Sequence, residues 1–433
     1  MIKDSKQHKS NILVGRKTHK AKQNVIGLIV WLLLLVPLLV GDPQQNVTIY
    51  IVAGLSLAAF LALYFRKNQI NKIQAKILIL FLAVVFIQLL GCLAAGSFSA
   101  IRYPVYTLCI AVFVVVGIAL FDDIKPFAML LACLFSIGVL FYRAVLNDNS
   151  EDVGNSLAGM GVYLCVMMTY SGISCINESK RNKTYKGGEA KGFKEKCRVA
   201  IIIVSIGCSC VAIYETQSRT SLFTLLIIAG VFILLSVLKP KKGVLLGLFW
   251  ILVIFIAIGI VAYINIGDFG WYSTLNVYSV DLFGKNIDSS RPLLWGMSIN
   301  ALGQNWLTGI GTGFLPAYGP FTNVSFHNSY LQLLIPNGVV SLICLILIFY
   351  FMWESMAENI DDLLVRLIFA ALVGILVYNC FESTLLFNKL SIGFMEWFLL
   401  ALGVARSLKL SKVSSCSKTN DGFRKIDGNN FNL

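Results

Sequence analysis

SSRPLLWGMSINALGQNWLTGIGTGFLPAYGPFTNVSFHNSYLQLLIPNG, Ser289 to Gly338, is the one long interruption in a chain that is otherwise apolar run and short turn. It gathers an arginine, several Trp and Tyr residues, a Gly-rich turn and His327. Apolar runs of spanning length flank it on both sides, which reads as a helical membrane bundle with one long loop. The loop is therefore the candidate working part.

The composition outside this stretch agrees. The 433 residues are 57% hydrophobic and 13% charged, with mean hydropathy +0.77, which excludes a soluble globule of ordinary make-up. A formal charge of +14 invites nucleic acid as a partner, but the basic residues sit in short turns beside apolar runs, where they set topology, and no nucleic-acid role is expected. The basic N-terminus leads into the run Val25 to Val40 and then Gly41-Asp42-Pro43, which reads as a retained first helix and not a cleaved signal. Of 11 cysteines, only Cys197 and Cys416 lie outside apolar spans, both in basic segments, so disulfides are not expected. The pair Cys208 and Cys210 has no His or second pair beside it that would make a metal site.

A spanning helix takes about 20 largely apolar residues. On that criterion about twelve spans centre near Leu33, Leu57, Val85, Phe113, Ser136, Val166, Ile206, Ile228, Ile254, Leu345, Gly374 and Leu399. The expected fold is an all-α integral membrane protein with both termini cytoplasmic and one long extracytoplasmic loop containing short helices. Lys and Arg support that orientation, with 29 on the inner side, 6 on the outer side and Arg366 within a span. The chain then divides into a basic cytoplasmic tail (1–23), nine spans (24–264), the extracytoplasmic candidate catalytic loop (265–328), three spans (329–406) and a cytoplasmic tail (407–433). Inside the loop, Leu293, Leu294, Met297, Ile299 and Leu302, with Trp295 and Trp306, predict a short helix at the membrane surface, Pro292 in its first turn and Gly309 to Gly313 ending it.

Three residues could carry chemistry. His327 is the only histidine on the expected outer side, since His8 and His19 lie in the N-terminal tail; it reads either as a base poised at a membrane–water boundary or as a polar helix start. Arg219, in the short turn ETQSRTS, reads as an anion ligand or as a snorkelling arginine paired with Glu215. Arg291 reads as half of a phosphate clamp or as a partner of Asp288. The outer carboxylates Asp42, Asp268, Asp281, Asp288 and Glu382 show no spacing that would hold a metal, and the glycines at 309, 311 and 313 follow no strand.

Taken together, SRTS at Ser218 to Ser221, RPLLW at Arg291 to Trp295, NWLTGIGTGF at Asn305 to Phe314 and HNSYLQLLIPNG at His327 to Gly338 resemble the O-antigen ligase and Wzy-type polymerase family of bacterial polysaccharide assembly. The motif overlap runs from about Gly207 to Phe349. The resemblance implies a metal-independent, inverting GT-C-type glycosyltransferase of the bacterial cytoplasmic membrane, its active site extracytoplasmic. It would take a glycan from undecaprenyl pyrophosphate and pass it to a hydroxyl of a lipid-core or lipid-linked acceptor, without a cofactor or metal. It implies catalytic roles for Arg219, Arg291 and His327. For substrate contact, Trp295, Trp306, Tyr318 and Tyr330 offer flat faces for sugars or the carrier's first isoprenes, interfacial anchoring being the commoner role of Trp and Tyr, and the amides around Gly311 and Asn328 would help. The rival from another class is a flippase for the same lipid-linked oligosaccharide. Such a protein should line a central path with charge, whereas this chain concentrates charge at one face.

Overall fold

A computed structural model describes residues 70–138, 151–186, 200–313, 325–386 and 390–427, with breaks of one or two positions, plus residue 54 and the backbone of 317–318 and 321–322. Apart from a hairpin of two two-residue strands, β1 (Ala317–Tyr318) and β2 (Phe321–Thr322), paired antiparallel, the described elements are helices. These are α1 (Lys72–Ala94), α2 (Arg102–Leu120), α3 (Glu151–Lys186), α4 (Arg219–Leu238), α5 (Lys242–Ile264), α6 (Tyr272–Phe283), α7 (Arg291–Leu302), α8 (Ser329–Ala357), α9 (Leu363–Tyr378) and α10 (Leu390–Asp427).

Among the described residues, six helices are long and apolar enough to cross a membrane: α1, α2, the Ala158–Asn177 part of α3, α4, α5 and α8. Two shorter apolar helices, Met129–Gly138 and α9, fall where spans are expected. The expected spans near Leu33 and Leu57 and both chain ends lie outside the described residues.

The chain forms two compact units. The first comprises residues 1–69, 119–222 and 389–395. There α3 buries Tyr163, Met167 and Met168, and Gly161 leaves room for the Ile213 side chain. The second contains 70–118, 223–388 and 396–433 and holds the long loop. In it α8 packs on α1, α5, α7 and α9. Trp397 of α10 stacks on Phe349 at 5.5 Å and meets Phe81 edge-on at 5.3 Å.

Several polar residues within the apolar helices are answered locally, as burial in a low-dielectric setting favours, although the buried Gln88 side-chain amide of α1 has no hydrogen-bond partner among the described residues. Asn71 and Gln74 cap α1 reciprocally, and the Gln74 amide donates to Val115 O at 2.6 Å. Arg366 is 8% exposed and donates to Ile360 O, Asp361 O and Ser236 Oγ. Buried Glu396 accepts from Asn379 Nδ2 at 2.9 Å and from the Thr384 hydroxyl at 3.0 Å. Both side chains tie neighbouring elements together.

One break positions the loop. Helix α8 contains Pro336 and is interrupted at Gly338, whose φ of 75° lies in the left-handed region. The freed backbone groups find partners in the Gly-rich turn that follows α7. Ile310 N donates to Ile335 O and Gly311 N to Pro336 O, both at 3.0 Å, while Val339 N donates to Trp306 O at 2.9 Å. The turn is thus clipped to the α8 break, beyond merely ending the preceding helix. A Cβ on Gly338 would collide with the Leu307 carbonyl. Gly338→Ala is therefore expected to lower membrane abundance and thermal stability sharply, backbone strain alone costing about 1–3 kcal/mol. Gly259→Ala, in open space on α5, is the control that should leave both unchanged.

Candidate functional site

The site starts from a turn that the chain over-determines. Phe326 and Asn328 are fully buried on either side of His327. Phe326 O accepts from Trp295 Nε1 at 2.7 Å, and Phe326 N donates to Gln332 Oε1 at 3.2 Å. Asn328 N donates to Ser383 Oγ at 2.9 Å, and its side chain donates to Cys380 O while capping the Tyr330 and Leu331 amides of α8. Held from both sides, His327 adopts φ 48°, a conformation costing a non-glycine residue about 1–3 kcal/mol. The imidazole is left at the surface, 34% exposed.

Glu382, in the turn after α9, lies beneath it and is 4% exposed. Its Oε2 is 3.7 Å from His327 Nδ1, and its Oε1 is 3.5 Å from the Arg291 guanidinium. Arg291 opens α7, its amide donating to Asp288 O at 3.0 Å. The same carbonyl accepts from the Tyr263 hydroxyl at 2.9 Å, and the Asp288 carboxylate takes the Tyr272 hydroxyl at 2.8 Å. The hydrogen bond to Asp288, then burial and the carboxylate charge, push the Tyr272 phenol above its ordinary range. One buried carboxylate thus faces both an arginine fork and an accessible imidazole. Such a cluster can bind an anion and move a proton side by side.

A family model for O-antigen ligase matches residues 203–346. That stretch is therefore similar to an O-antigen ligase domain. No curated protein matches the chain. Arg291 and His327 both fall inside the O-antigen ligase domain, whereas Glu382 lies past its end. Arg219 also falls inside it, half-buried at the start of α4 in the first unit, next to Ser218 and Ser221, whose hydroxyls are 3.0 Å apart. Glu215, its alternative partner, lies outside the described residues.

Several residues expected to touch substrate are placed elsewhere. Trp295 is 1% exposed, packs against Tyr263 at 5.0 Å and fixes the Phe326 carbonyl, so its face is not open to a sugar. Tyr330 is buried with its hydroxyl donated to Leu376 O at 2.7 Å. The Asn328 and Gly311 amides are already taken by Ser383 Oγ and Pro336 O, which leaves neither for an anion. These four build the turn and the α8 break inside and around the O-antigen ligase domain. Trp306 is 53% exposed and keeps an open ring, and the Tyr318 side chain lies outside the described residues.

Glu382 is the residue that reading the chain passes over. Its partner Arg291 is 91 positions away, and nothing in the local run CFEST separates it from other loop acids. Among the described residues, no three of His, Cys, Asp and Glu gather in a way that could hold a metal ion.

Proposed function

We propose that this multi-pass membrane protein transfers a glycan from a polyprenyl (undecaprenyl) pyrophosphate to an acceptor sugar hydroxyl on the extracytoplasmic face, as a ligase or a repeat-unit polymerase. The observation that carries the reading is the convergence of Arg291 and His327 on the single buried carboxylate of Glu382, beside an O-antigen ligase domain.

In this reading a proton on His327 Nδ1 faces Glu382, which fixes the tautomer and leaves Nε2 as the base. Nε2 takes the proton of the acceptor hydroxyl as its oxygen attacks the anomeric carbon. The bond from that carbon to the pyrophosphate oxygen breaks with its electron pair, and the configuration inverts. Arg291 meets the charge growing on the leaving group. The resemblance suggests the same kind of role for Arg219 of the SRTS motif, arginine forks supplying the charge that a divalent ion supplies elsewhere. His327, far more open than Glu382, is the group an acceptor can reach, so the carboxylate positions and the imidazole reacts.

Purified protein given a lipid-linked glycan should form a longer glycan on a second lipid-linked unit, or a conjugate on a lipid-core acceptor, and each product names its own branch of the family. Transfer should persist in EDTA. Activity lost on chelation and restored by magnesium or manganese would reject the arginine clamp, and no transfer to either acceptor would reject the enzyme.

A further inference from the structure

Helix α6 carries its polarity the wrong way round for a helix in water. Toward the protein it turns polar groups: Tyr272 to the Asp288 carboxylate at 2.8 Å, Asn276 to Asn286 at 3.3 Å, and buried Ser279. Its apolar residues face out. Trp271, Leu275 and Tyr278 are 50%, 42% and 59% exposed. At about 100° per residue they form one stripe within roughly 40–60° of arc, about a quarter turn from the packed face. Exposed Val277 and Val280 lie farther round, on the flank that also presents Ser273 and Asp281 to solvent.

The stripe does not begin on α6. Phe269, 40% exposed, stacks on Trp271 at 5.3 Å with the rings 12° from parallel. Directly before them α5 ends a span of which only 11% is buried, with Ile251, Ile254, Phe255, Ile258 and Val261 all exposed. An exposed apolar surface along α5 therefore continues, through an aromatic step, onto the stripe of α6. Aromatic rings at the end of a spanning segment fit the headgroup level, where one side is apolar and the other wet.

We propose that Phe269, Trp271 and the Leu275–Tyr278 stripe seat α6 on the phospholipid surface, in the plane of the interface. The seat has a consequence for the site. Asp288 receives the Tyr272 hydroxyl from α6 and the Tyr263 hydroxyl from α5, and its carbonyl receives the amide of Arg291. An α6 fixed at headgroup depth fixes the start of α7 at the same depth, level with the phosphates of any lipid-borne donor. That consequence rests on the reaction proposed above, while the seat does not.

The test uses full-length protein in nanodiscs of phosphatidylcholine and phosphatidylglycerol. A fluorescent amino acid is incorporated at Leu275, Tyr278 or, as control, Ser273, and quenching by lipids with a nitroxide high on the acyl chain is measured. Quenching several-fold stronger at 275 and 278 than at 273 is the expected result, with or without glycan. Equal quenching at the three sites, or none, overturns the proposal. So does contact at 278 between two copies, or shielding of 275 and 278 seen only when glycan is added. This readout needs no turnover, so it can fail while the enzymatic reading stands, and the reverse.

Discussion

Replacing His327 with alanine is expected to lower glycan transfer by roughly 10²–10⁴-fold, the range lost with a general base. The asparagine variant sharpens the test. Asparagine tolerates the left-handed backbone that His327 adopts at φ 48° and keeps a polar side chain, but it has no basic nitrogen. If His327 only starts α8, His327→Asn should transfer at close to the native rate. If it is the base, both variants should fail while reaching native abundance in the membrane, which must be measured alongside activity. Glu382→Gln separates reacting from positioning. It keeps the shape beneath the imidazole but removes the charge that holds the tautomer, so its loss should be smaller than that of His327→Ala and should come with a shifted pH profile.

Arg291→Lys carries the second large effect, a loss of about 10²-fold or more if the planar fork grips pyrophosphate oxygens in pairs, since lysine is only a point charge. The pair with Glu382 makes lysine the informative substitution. Arg291→Ala would leave a buried carboxylate without its countercharge, a defect of about 3–5 kcal/mol that can unfold the site and mimic lost chemistry. Arg291→Lys keeps the countercharge within reach of Glu382, so the fold should survive and any lost activity belongs to the anion. Near-native transfer by Arg291→Lys, measured with short reaction times and matched protein, would move the pyrophosphate elsewhere. Arg219→Lys should behave in the same way if the two arginines act together.

Chain chemistry alone determined the class of this molecule. Apolar runs, the division of Lys and Arg between alternate turns and the one long polar interruption are local properties, and they led to a helical membrane protein, to the loop around Ser289 to Gly338 and to Arg291 and His327 within it. The motif pieces led to the O-antigen ligase family, which the matched domain supports. What each residue does in that loop was a different matter. Trp295 and Tyr330 look like exposed sugar platforms because aromatic type is visible in a sequence and direction is not. The packing of α7 against α5 and α8 turned Trp295 inward. Gly309 to Gly313 looks like a simple turn because the acceptors of its Ile310 and Gly311 amides, the Ile335 and Pro336 carbonyls, belong to a broken helix further along the chain. Glu382 was hidden for the same reason: a loop acid acquires a role only when the fold carries an arginine 91 positions away to within 3.5 Å of it. Periodicity and composition report on neighbours in the chain, whereas a buried ion pair across three helices depends on how those helices pack, which only the tertiary structure decides.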